Sequence, residues 1–86
     1  MRKGSPEDSL DNLAGKSAGQ IRNSNLQSDN PYYVSIVDAA TIMWERSMDS
    51  WVYVTQREDE TTIWRAPDES ALAIVDLDGT AKIVHL

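Results

Sequence analysis

The chain has 86 residues, 41% hydrophobic and 26% charged, with a formal net charge of −6, which leaves room for one small domain and no second. The absence of Cys excludes disulfide staples, thiolate metal ligands and a cysteine nucleophile, and the lone His85 cannot form a metal cluster by itself. No apolar run approaches the ~20 residues of a bilayer span and none follows the basic Arg2-Lys3, so neither a membrane span nor a signal peptide is expected; the expected location is the cytoplasm, a virion or a complex.

Residues 1–30 are polar. The apolar positions up to Pro31 are sparse and include Leu10, Leu13, Ile21 and Leu26, set among Ser, Asn, Asp and Gly. The stretch from Ser5 to Gly15 carries a helix signature, with Ser5 as cap, Pro6 in the first turn, Glu7 and Asp8 at the positive end and Gly15 as the stop. Such a helix is too short and polar to persist alone. The segment reads as an extended or flexible N-terminal arm, ordered by a partner or by docking on its own domain, with an inert tail as the alternative. A domain boundary is therefore expected at Asn30-Pro31, with the folded domain over 31–86.

Residues 32–86 carry four Lys/Arg against ten Asp/Glu, so the whole net charge sits on this segment. Nucleic-acid affinity comes largely from Lys and Arg neutralising phosphates, so no nucleic-acid partner is expected. A helix is expected from near Ile36 to near Met48, with Ser35 as its cap. Ile36, Ala40, Met43 and Ser47 would line its apolar face, flanked by Val37, Trp44 and Met48.

The hydrophobic period then changes to two. Trp51 to Thr55 and Thr61 to Trp64 read as strands of a hairpin with the acidic tip Arg57-Glu58-Asp59-Glu60. Pro67 breaks the pattern, and Ala71 to Leu77 and Thr80 to Leu86 read as two more strands. The expected fold class is α+β: one amphipathic helix packed on a small antiparallel meander of about four strands, preceded by the arm.

The stretch Ala73-Ile74-Val75-Asp76-Leu77-Asp78-Gly79-Thr80 resembles the first motif of the haloacid-dehalogenase-like phosphatases. That resemblance implies Asp76 as nucleophile and Asp78 as acid and base on the first strand of a parallel sheet. Only Ala81 to Leu86 follow, and a single βαβ unit takes ~30 residues or more. Asp78-Gly79 also fits a two-residue hairpin loop, which pairs Leu77 with Thr80, Val75 with Lys82 and Ala73 with Val84. On that register Ala71, Ala73, Val75, Leu77, Val84 and Leu86 share one apolar face. The turn explains more of the surrounding sequence than the phosphatase reading does.

No Gly-rich phosphate loop, catalytic triad or calcium loop is present in the sequence. No catalytic residue, cofactor or metal ligand is therefore assigned, and no small-molecule substrate is expected. A 55-residue core is marginal by size, and its Trp and Tyr residues are favoured interface anchors. The expectation is a non-catalytic module that binds a protein partner or self-associates, as a structural subunit of a larger assembly such as a virus particle. Its arm would contact neighbours. The alternative is an acidic inhibitor or immunity-type protein that blocks a basic site on an enzyme. The candidate contact residues are Leu10, Leu13, Ile21 and Leu26 on the arm, Trp51, Tyr53 and Trp64 on the strands, and Glu58, Asp59 and Glu60 at the tip.

Overall fold

The computed structural model describes residues 13–23 and 31–86. Helix α1 (Ala18–Asn23) and helix α2 (Pro31–Glu45) precede four strands, β1 (Val52–Gln56), β2 (Thr62–Arg65), β3 (Ala71–Val75) and β4 (Ala81–His85). The strands form one antiparallel sheet in sequence order, the expected meander. The α+β class is thus present, with one main helix and the four strands.

α2 begins five residues before the expected start. Pro31 is its first residue, where a fixed φ suits the helix and the missing N–H costs nothing. Ser35 is buried inside the helix and does not cap it. Ile36, Ala39, Ala40 and Met43 supply the buried stripe at the i, i+3, i+4, i+7 spacing. The helix closes in a Schellman turn. Met48 N–H donates to Met43 O at 2.7 Å, Ser47 N–H donates to Trp44 O at 2.9 Å, and Ser47 takes the left-handed conformation at φ 61°.

The segment 13–23 docks on the domain. A capping box starts α1: Gln20 N–H donates to Ser17 Oγ at 3.1 Å, and Ser17 N–H donates to Gln20 Oε1 at 2.8 Å. Just before α1, the backbone pairs with the start of β1. Gly15 N–H donates to Tyr53 O, Tyr53 N–H to Lys16 O and Ala18 N–H to Trp51 O. Gly15, at φ 89°, makes the turn that brings the chain to this edge. Gly19 N–H donates to Asp49 O at 2.8 Å, and a Cβ on Gly19 would just touch Asp49 at 3.4 Å, so a small residue suits this approach. Leu13, Ala18 and Ile21 are buried in the core with Ile36, Ala39, Ala40, Met43, Tyr53, Trp64, Ala73 and Val75. Arg22 lies 3.8 Å over the Trp44 ring and ties α1 to α2 by a cation–π contact.

The β3–β4 register differs by one residue from the expected one. Val75 pairs with Ala81, Ala73 with Ile83 and Ala71 with His85. The loop has three residues, Leu77 to Gly79: Asp76 N–H donates to Thr80 O, and Gly79 N–H donates to Asp76 O with Gly79 at φ 92°. This is a turn closed by a glycine bulge, which adds one residue to the two-residue loop. A slip of one moves a strand's side chains to the opposite face, so Val84 lies opposite Leu72 and not Ala73. Leu77 sits exposed in the loop.

Candidate interaction surface

Four of the sequence-derived contact residues lie inside the molecule. Leu13, Ile21, Tyr53 and Trp64 are all buried in the core. Tyr53 and Trp64 face each other across β1 and β2 with ring centroids 5.4 Å apart at 69°, an edge-to-face pair. The Trp64 indole N–H donates to the buried Thr62 Oγ1 at 2.8 Å, so its polar edge is satisfied within the fold. These side chains anchor the chain's own core and present nothing to a partner. Trp51 is half-buried and packs against the same core. Leu10 and Leu26 lie outside the described residues.

Glu58 and Asp59 are exposed and Glu60 is half-buried, all in the β1–β2 loop. In this meander the β1–β2 and β3–β4 loops lie at the same end of the sheet, which brings Asp76 and Asp78 to that end as well. Among the described residues no group of three or more His, Asp or Glu is arranged to hold a metal ion.

The three loops share a device that the sequence analysis missed. Each has an Asp, then a residue at positive φ, then Ser or Thr: Asp59-Glu60-Thr61, Asp68-Glu69-Ser70 and Asp78-Gly79-Thr80, with φ values of 70°, 63° and 92°. In each loop the Asp Oδ1 accepts the Ser/Thr backbone N–H, at 3.1, 3.1 and 3.0 Å. Thr61 and Ser70 add a hydroxyl donor at 2.7 Å. Hydrogen bonds from Thr61 and Ser70, the hydroxyl first and then the N–H, hold Asp59 and Asp68 below the ordinary carboxylate value of 3.8. The Thr80 backbone N–H does the same for Asp78. The carboxylate is thus a loop clasp in all three places. Asp78 plays this role beside Asp76, and β3 is antiparallel to both its neighbours, unlike the parallel strand of the phosphatase motif.

The two faces of the sheet are filled differently. The helices meet the face that presents Tyr53, Trp64, Ala73 and Val75. Cross-strand pairing assigns the other face two rows: Val52, Arg65, Leu72 and Val84, then Thr55, Ile63, Ile74 and Lys82. Five of these eight are aliphatic, and the two charged ones are both cations. None of the eight belongs to the buried core. A cleft of roughly 300 Å³ opens beside the first row, lined by Val52, Val54, Arg65, Pro67 and the Ala14-Gly15 turn. The sequence signal for this open face was the alternation within each strand, since Ile63, Leu72, Ile74 and Val84 all stand out of phase with the buried positions.

No helix among the described residues is long and apolar enough to cross a membrane. Compared with protein-family models, curated proteins and solved structures, the chain matches none.

Proposed function

We propose that the chain is a non-catalytic protein–protein interaction subunit of a larger assembly, and that it docks through the open face of its sheet. The observation that carries this reading is the pair of rows on that face. Val52, Ile63, Leu72, Ile74 and Val84 are contiguous across the four strands and lie outside the core. Val84 is exposed and the other four are half-buried, and contiguous apolar surface outside a core is characteristic of interfaces. The charges on the rows, Arg65 and Lys82, are positive in a chain of net charge −6. The matching partner is therefore an apolar protein surface edged with carboxylates. Contact with neighbours through the arm would fall to Leu10 and Leu26, since Leu13 and Ile21 are used internally.

A photo-crosslinking residue at position 74, in the assembly in its native context, tests the reading. Discrete protein adducts are expected from position 74 and not from the exposed Asp38 position on α2. They should disappear in Leu72→Ser/Val84→Ser. Adducts equal from both positions, or none from 74, would count against docking through this face. A second reading, an acidic inhibitor, is favoured by the gathering of Glu58, Asp59, Asp76 and Asp78 at one end of the sheet. It predicts adducts from position 58 and none from 74, with salt-sensitive binding.

A further inference from the structure

The two edges of the sheet are treated differently. The β1 edge is occupied by residues 15–18 and interrupted by a bulge between Tyr53 and Thr55. β4 has neither device. Its five residues run in unbroken register with β3, contain no Pro, and pair with no other described strand. Leu86 N–H donates to Ser70 O at 2.9 Å and extends this straight edge by one residue.

The phase of the ladder fixes which backbone groups are unpaired. Asp76 N–H bonds Thr80 O, and Leu86 N–H bonds Ser70 O, so the even-numbered residues of β4 turn their backbone groups toward β3. Ala81, Ile83 and His85 therefore direct N–H and C=O outward. Ile83 stands at the centre, and the outward set reads the same from either end under an antiparallel two-fold. Ile83 would exchange both bonds with Ile83 of a second copy, and Ala81 both with His85.

We infer that the β4 edge pairs antiparallel with the β4 edge of a second copy about a two-fold through Ile83, joining the two four-stranded sheets into one. Side chains and charge favour this occupant. Ile83 and Val84 are 38% and 37% exposed, one on each face, so both sides of the joint bury aliphatic surface. No residue from Ala81 to Leu86 is Asp or Glu, so no acidic side chain lies within the paired segment. Lys82 falls opposite Val84 of the second copy and not opposite its own counterpart. An unpaired edge without Pro or bulge is the kind that accepts another strand. The inference rests on the reading of the chain as an interaction subunit, and doubles the width of its open face.

Light scattering on the full chain at about 0.1 mM, a concentration that suits a modest interface, should give twice the monomer mass. Amide exchange should show Ala81, Ile83 and His85 protected only as concentration rises, with Lys82 and Val84 protected throughout. Ile83→Pro removes an outward N–H and no β3–β4 bond, and Ile83→Lys leaves the backbone intact; each should raise the dimer dissociation constant at least tenfold. If Ile83→Pro loses its circular dichroism, Ile83→Lys and the wild-type exchange pattern decide. A monomer at this concentration overturns the inference, as does a dimer with freely exchanging odd-numbered amides. Leu72→Ser, on β3 and away from the joint, should retain those concentration-dependent amides. Absence of crosslinks from position 74 in the otherwise wild-type chain, with this dimer intact, would sink the open-face reading alone.

Discussion

On the covered face the strands set Trp64 and Tyr53 against Ala73, Ala71 and Val75, while on the open face they set Val52, Leu72 and Val84 beside Ile63 and Ile74. The first set mixes very large and very small side chains. That mixture suits interdigitation with α1 and α2, whose Ala18, Ala39 and Ala40 belong to the same core. The second set is uniform in size, with Arg65 between Val52 and Leu72 and Lys82 at the β4 end of the other row. None of these residues belongs to the buried core, so size matching constrains them less. The difference separates residues that hold the fold from residues that are free to serve a contact, and that separation can be tested one side at a time.

The largest effect is expected at the covered face. Trp64→Ala should cost about 3–5 kcal/mol in chemical denaturation, because it leaves a cavity and strands the Thr62 hydroxyl. Ile74→Ala on the open face should cost about 1 kcal/mol or less, since only part of the ~1.5–3 kcal/mol for a fully buried side chain is at stake. Equal costs at the two positions would erase the distinction.

Ile21→Ala comes next, with an expected loss of about 2–5 kcal/mol. Ile21 lies in the polar first segment, yet its side chain is 1% exposed. An unchanged midpoint in this variant would show that the segment contributes nothing to the covered face.

Smaller effects are expected at the loops, where neither face is involved. Gly79→Ala should destabilise by about 1–2 kcal/mol from its left-handed backbone alone. A Cβ there has room, with Ile42 Cδ1 the nearest atom at 4.0 Å. Glu69→Gly should act in the opposite direction, because Glu69 already holds φ at 63°. Its net gain should be about 0.5–1 kcal/mol after the entropy cost of glycine. Two thermal melts with opposite shifts would confirm that the loops share one conformation.

The smallest effect is the pH response of the three clasps. Asp59, Asp68 and Asp78 have folded values below 3.8, so their contribution is complete above the unfolded value and is lost as pH falls through the folded values. The triple variant Asp59→Asn/Asp68→Asn/Asp78→Asn should show a shallower decline in melting temperature on acidification than wild type. An identical decline would mean that the clasps do not contribute.

The meander and its single main helix were legible because the hydrophobic period switches from 3.6 to 2 near Trp51. The start of α2 was misplaced because Pro31 was read as a boundary, although proline also suits a first helical turn. The β3–β4 register was misread because Asp78-Gly79 satisfies two loop lengths. The repeated Asp-x-Ser/Thr pattern distinguishes them, since in each loop the residue after Asp takes positive φ. The docking of residues 13–23 was hidden by their low apolar density. Its signals were the Ser17-to-Gln20 capping box and Gly19, which reaches Asp49. Residue type alone marks Trp and Tyr as interface anchors. The core needed two of them, Tyr53 and Trp64, and the interface reading passed instead to aliphatic residues standing out of phase along the strands.

The closure of the β1 edge by residues 15–18 also bears on the order of folding. The hairpins of the meander join neighbours in sequence and can form early, whereas Gly15, Lys16 and Ala18 must find Trp51 and Tyr53 across the whole of α2. Contacts with that sequence separation are expected after the rate-limiting step, so substitutions at Ser17 or Gly19 should accelerate unfolding and leave the refolding rate nearly unchanged. During synthesis the reverse order of emergence applies: the closing segment is made first and waits for its strand. Until β1 arrives, Leu13, Ala18 and Ile21 have no sheet to cover, and the polar composition around them keeps the nascent segment soluble.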